Sequence, residues 1–203
     1  IILLMVLLGM FGGGAGLGYF ANLISKETAP TYESMAEDIG NVELVSTMYY
    51  ANSEAISEIR TDLVRSTVGS ENISPLIKEA LIATEDENFY EHNGIVPKAI
   101  LRALVTELTG FGSQSGGSTL TQQLVKQQIL TNEVTFSRKA NEILLALRLE
   151  NFFTKDEILT AYLNVSPFGR NSSGSNIAGI EEAANGIFGV HAIDVSLAQA
   201  AFL

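Results

Sequence analysis

Two carboxylates, an amide pair and a small basic cluster are the residues of this chain best suited to do chemistry. Glu85 and Asp86 open the run Glu85-Asp86-x-x-Phe89-x-x-His92-x-Gly94. Glu85 lies one turn after Leu81 and one turn before Phe89, so it projects at the margin of an apolar helix face. Partial desolvation there is expected to make it a stronger base, as a general base for an alcohol requires. Asp86 points elsewhere and is expected to cap or orient the following loop. Taken alone, Glu85 to Glu87 reads more simply as a solvated helix end, and His92 as a packed residue holding the turn into Gly94.

The second cluster is Gly116-Gly117-Ser118-Thr119-x-Thr121-Gln122-Gln123-Leu124-x-Lys126. The glycines free the backbone ahead of Ser118, which is read as the cap of a helix running to about Leu130. A helix N-terminus offers unpaired N–H groups and a positive dipole end, which suits phosphate. Gln123 and Lys126 share a face three residues apart and could hold a pyrophosphate or sugar hydroxyls. The spacing is not that of a P-loop, because no Gly-Lys-Ser/Thr follows the glycines. An ordinary capped helix with a polar side is the plainer alternative. In Arg138-Lys139-x-x-Glu142 a second carboxylate stands beside a basic pair. Read singly it is a solvated i,i+3 ion pair; read with the rest it could manage charge on a leaving phosphate.

These groups need elements to hold them. Ser74-Pro75 is an N-cap with Pro at the first helical position, and Leu76, Ile77, Ala80, Leu81 and Thr84 line one face of the helix that follows. Further helices are expected over 97–108, from Ser137 (with Ile143, Leu144 and Leu147 as its apolar side), from the capping box Thr154-Lys155-Asp156-Glu157, and from Asn176 to Phe188. Thr109 to Gly117 is rich in Gly and Ser and is expected to move over the site. Residues 25–72 read as a juxtamembrane linker, with at most one weak helical turn before Asn41. Val42 to Tyr50 is β-prone, and Ala55 to Val68 is a second strand or a short helix. Ile1 to Ile24 carries no charged side chain, enough to cross a bilayer as one uncleaved helix. Its glycines at spacing four allow close helix packing. The flank beyond is acidic, without the Lys and Arg of a cytoplasmic side, so the body is expected outside the membrane. The start at Ile1 and the stop within an apolar run suggest a fragment truncated at both ends.

In this order the motifs resemble the peptidoglycan glycosyltransferases, glycosyltransferase family 51, found alone or at the front of class A penicillin-binding proteins. To the three runs above are added Lys155-x-x-Ile158-Leu159-x-x-Tyr162-Leu163-Asn164, then Gly179-Ile180-x-x-Ala183-Ala184 with Phe188-Gly189. Gln127, Ile187, Val190 and Gln199 depart from the usual pattern at peripheral positions. The resemblance implies a mainly α fold: a lysozyme-like lobe over 73–203 with a small membrane-associated subdomain, preceded by the anchor over 1–24. It implies lipid II and the nascent glycan strand as substrates, the bilayer and other cell-wall synthesis proteins as partners, and a bacterial membrane location with the catalytic domain on the extracytoplasmic face. By similarity Glu85 would deprotonate the acceptor hydroxyl and Glu142 would lie near the leaving pyrophosphate. Asp86, Ser118, Thr119, Gln123, Lys126, Arg138 and Lys139 would bind substrate, with room for a divalent cation, magnesium or manganese, at the pyrophosphate.

A net charge of −11 argues against nucleic-acid partners. With no cysteine the chain has neither disulfides nor thiolate metal sites. Two other functions compete: a lytic enzyme that cleaves glycan with a similar glutamate, and a non-catalytic scaffold of the cell envelope.

Overall fold

The computed structural model describes residues 30–40, 46–59, 63–100, 117–130, 135–170 and 174–203, with 14, 18, 22 and 102 as isolated positions. The anchor expected over 1–24 lies outside the described residues except at Gly14, Gly18 and Asn22, which are helical and exposed. Among the described residues no helix is long and apolar enough to cross a membrane. The expected mobile segment also lies outside them except for Gly117, and of the helix expected over 97–108 only 97–100 and 102 are described, as helix.

In chain order the elements are α1 (Tyr32–Gly40), β1 (Ser46–Tyr49), β2 (Ala55–Ile59), β3 (Leu63–Arg65), a 3-10 turn (Ser70–Asn72), α2 (Pro75–Glu85), α3 (Leu120–Gln128), α4 (Phe136–Phe152), α5 (Lys155–Val165), β4 (Pro167–Arg170), β5 (Asn176–Ala178), α6 (Ile180–Phe188), a second 3-10 turn (Ala192–Asp194) and α7 (Leu197–Phe202). The described body is mainly helical, as expected.

Local chemistry fixes most helix starts. Ser74 accepts from the Leu76 N–H and Pro75 supplies the first turn of α2. Thr154 and Glu157 make the expected reciprocal capping box on α5. Two starts differ from expectation. The cap of α3 is Thr119, not Ser118, because Gln122 stands three residues after Thr119 and closes a second capping box. The cap of α4 is Thr135, not Ser137; its side chain accepts from the Arg138 N–H.

The stretch read as a linker folds into α1, whose Met35 is fully buried in the core. Tyr32 at its start stacks on Phe153, with ring centroids 5.2 Å apart. β1 and β2 form an antiparallel hairpin, so Ala55 to Ile59 is strand rather than helix. Residues 176–178 are likewise not the start of a helix: β5 pairs in parallel with β3 and antiparallel with β4. Gly179, at φ +87°, then turns the chain into α6, where a Cβ would meet the Asn164 carbonyl at 2.9 Å.

α3 lies at the centre, packed on α4 and α5, while α2 packs on α7. Leu120, Leu124 and Val125 of α3, Ala146 and Leu149 of α4, and Leu159 and Leu163 of α5 are all buried. Burial of the Leu and Val side chains among them is worth about 1.5–3 kcal/mol each. The buried side of α4 is Glu142, Leu145, Ala146 and Leu149; Ile143 is buried too, whereas Leu144 and Leu147 are only half-buried. α4 was expected to turn its apolar residues inward, yet it turns a carboxylate inward as well.

Candidate active site

Glu85 is the last residue of α2, and Asp86 leaves the helix with φ −156° and ψ 72°. That change of direction sends neighbouring carboxylates to opposite environments. Glu85 is exposed, so the desolvation expected at its helix margin is absent. Asp86 is buried and occupied within the protein: His92 Nε2 donates to it at 2.9 Å and the Leu120 N–H at 3.0 Å. The Gly94 N–H donates to His92 Nδ1 at 3.1 Å, which leaves the ring proton on Nε2, facing Asp86. Asp86 thus pins the start of α3 to the end of α2. These contacts fit the capping and orienting role expected for it, and its carboxylate is absent from the lining of the cavity that Glu85 borders.

Thr119 is similarly absorbed. It is buried, donates to the Gly94 carbonyl at 2.6 Å and accepts from the Gln122 N–H, so its hydroxyl is engaged in capping α3. Gly94 sits at φ +82°, and a Cβ there would stand 2.6 Å from the Ala146 carbonyl. Beneath this junction Lys155 donates to Glu150 and to the His92 carbonyl, each at 2.7 Å, and lies 4.4 Å above the Phe89 ring. Thr121 donates to the same Glu150 oxygen at 2.6 Å. Several of the motif residues therefore form a knot under the site and do not line it.

What faces the cleft is Glu85, Gln123, Lys126, Ser118 and Glu142, around a cavity of about 560 Å³. A second cavity of about 520 Å³ shares Glu85 and Gln123 as a wall and is otherwise more apolar, with Ile77, Leu81 and Phe168. Gln123 Nε2 donates to Glu85 at 3.0 Å, and the Tyr162 hydroxyl donates to Gln123 Oε1 at 3.0 Å. Tyr162 belongs to the fourth motif, but no role was read for it. The two residues are far apart in sequence, and no local pattern signals their contact. Burial pushes the Tyr162 phenol up, so it remains a donor.

Glu142 is buried, yet both its oxygens are paired, with Arg138 at 2.9 Å and with Lys139. Lys139 also donates to Ser118 at 3.0 Å. The pair expected on a solvated face is thus a buried, doubly neutralised carboxylate that orders two cations at the cleft wall. Lys126 is exposed and has no ion pair among the described residues. Among those residues no three His, Asp or Glu side chains converge, and the Glu142 oxygens are already engaged. This donor set does not fit a protein-built cage for magnesium or manganese.

A family model described as transglycosylase matches residues 52–203. The chain belongs to this transglycosylase family. The match takes in β2 and β3, upstream of the expected domain start at 73. A penicillin-binding protein 1A from Clostridium perfringens strain 13 is 40% identical over 162 residues, covering 78% of this chain and 23% of the relative. A penicillin-binding protein 1A/1B from Bacillus subtilis is 40% identical over 190 residues, 93% of this chain and 19% of the relative. A penicillin-binding protein 1B from Haemophilus influenzae is 41% identical over 171 residues, 84% of this chain and 22% of the relative. The transglycosylase chain thus spans about a quarter or less of the length of these relatives.

Proposed function

We propose that this transglycosylase domain polymerises peptidoglycan glycan strands from lipid II, at the extracytoplasmic face of a bacterial membrane and anchored through residues 1–24. The observation that carries this is one cavity lined by an exposed carboxylate, Glu85, and by Lys126, with Ser118 and Glu142 in the same lining bound from behind by Lys139 and, at Glu142, by Arg138 as well. Hydrolysis of a plain glycan has no need of these cations, whereas a phosphate-bearing donor does.

In this reading the acceptor's sugar hydroxyl approaches Glu85, which takes its proton as the oxygen attacks the donor sugar's C1. The new C1–O bond forms as the bond from C1 to the pyrophosphate oxygen breaks, with inversion. The charge that collects on the departing lipid pyrophosphate is met by Lys126 and by Lys139, the latter held in place by Glu142 and Ser118 before the reaction begins. Glu142 keeps Arg138 and Lys139 ordered without itself touching sugar.

The test is labelled lipid II with the detergent-solubilised protein and with Glu85→Gln. Polymer and lipid pyrophosphate from the parent, with polymer lost in the variant, is the expected result. Equal polymer from the variant would remove Glu85 as the base. Release of soluble sugar fragments from finished glycan would point to a lytic enzyme instead.

A further inference from the structure

We propose that Tyr162 is a positioning residue for Glu85, acting through the Gln123 amide; this rests on the reading of Glu85 as the base. Glu85 is exposed and ends its helix, so its own surroundings do little to choose a rotamer. Among the described residues its side-chain partner is Gln123, which donates from Nε2 to Oε2 at 3.0 Å. A glutamine amide can turn over, and in the reverse orientation its carbonyl oxygen would face the carboxylate and repel it. The acceptor-only carboxylate thus selects the Nε2 end, and the Tyr162 hydroxyl anchors the other end by donating to Gln123 Oε1 at 3.0 Å.

Tyr162 is well suited to the task. Its residue is 7% exposed, with the ring in the core formed by α3 and α5, so the hydroxyl is delivered from a rigid base. Burial keeps the phenol protonated, so its O–H is present to donate to the amide oxygen. A bond accepted at one end of an amide polarises the N–H at the other, which strengthens the second bond. The relay therefore runs from α5 through α3 to the end of α2. It holds Glu85 Oε2 and leaves Oε1 for the acceptor hydroxyl. Gln123, expected to bind pyrophosphate or sugar, is in this arrangement engaged at both ends by the protein.

The test is steady-state polymerisation of lipid II by the full chain and by Tyr162→Phe, which keeps the ring and loses only the donor. Thermal unfolding of each protein verifies the fold. The expected result is a kcat lower by roughly 5- to 50-fold with KM for lipid II unchanged, the scale of a misplaced catalytic group. Gln123→Leu should show the same split, and adding Tyr162→Phe to it should cost nothing further. A Tyr162→Phe enzyme with the parent's kcat, an effect confined to KM, or an equal further loss in the Gln123→Leu background overturns the relay. If Tyr162→Phe fails to fold, Gln123→Leu decides alone: a KM rise without a kcat loss makes Gln123 a substrate contact and ends the proposal. A parent without polymerase activity, or a Glu85→Gln variant as fast as the parent, removes the base reading and the relay with it. An active, Glu85-dependent parent with an unaltered Tyr162→Phe removes the relay only.

Discussion

Replacing Asp86 with Asn should unfold this domain more than it alters the chemistry of the cleft. The carboxylate accepts from two buried donors, His92 Nε2 and the Leu120 N–H, and its side chain is only 6% exposed. The two donors converge on Oδ2, and His92 Nε2 also lies 3.1 Å from Oδ1, so Asn keeps both on its oxygen only by turning its NH2 toward the His92 N–H, which buries a donor without an acceptor. Hydrogen bonds to a charged group are worth about 1.5–3 kcal/mol, and an unsatisfied buried donor adds to the loss. The negative charge at the N-terminus of α3 contributes a few tenths more. A total of about 2–4 kcal/mol follows, and at about 2–4 °C per kcal/mol for a domain of this size Tm should fall by roughly 5–15 °C. Calorimetry on parent and Asp86→Asn, followed by lipid II assays well below both transitions, reads the two effects separately. A Tm unchanged within about 2 °C would refute the reasoning. So would full loss of polymerisation in a protein as stable as the parent, since that is how a substrate contact behaves.

Two further perturbations test the scaffold. Gly94→Ala places a Cβ 2.6 Å from the Ala146 carbonyl at a φ of +82°, and the strained backbone alone costs about 1–3 kcal/mol; urea unfolding should show a midpoint well below the parent's, and an equal midpoint would contradict the close approach of this turn to α4. The Lys78 ammonium, with Ser70 after it, holds the Asp156 carboxyl below its ordinary value of 3.8. A lowered folded value means stability that is present above the unfolded value and lost as pH falls through the folded one. The Asp156 side chain is 56% exposed, so screening keeps the contribution within about 1 kcal/mol. Urea midpoints between pH 5 and 3 should fall more steeply for the parent than for Asp156→Asn, and parallel slopes would deny the pair any role.

Where the chain's own neighbours decide the structure, the sequence was readable. Ser74-Pro75 and Thr154-x-x-Glu157 each start a helix where they stand, because a cap needs only residues within one turn. The slip from Thr119 to Ser118 was avoidable: Gln122 lies at capping-box distance from Thr119, not from Ser118. β5 was a different kind of miss. Its partner β3 lies more than a hundred residues earlier, and no local pattern announces such a pairing. Met35 gave no sign either, since a single apolar contact buried by tertiary packing leaves no periodicity. In the site, residue types pointed to the right region but not to the direction of each side chain. Asp86 and Thr119 were grouped with Glu85 and Ser118, yet a turn of backbone at each junction sends one neighbour inward and the other into the cleft. Glu142 was recognised as a carboxylate beside two cations; that the carboxylate is buried depends on how α4 is rotated against α3.

The parallel pairing of β3 with β5 also sets a clock on biogenesis. Leu63–Arg65 leaves the ribosome long before Asn176–Ala178 exists. At about 5–20 residues per second, that gap lasts on the order of 5–20 s. Throughout it the early strand has an open edge whose native partner has not been synthesised, and loop closure over such a separation is slow even once both are present. The lobe therefore completes its fold late, when α6 follows β5 into place, and the nascent chain relies until then on whatever shields that edge.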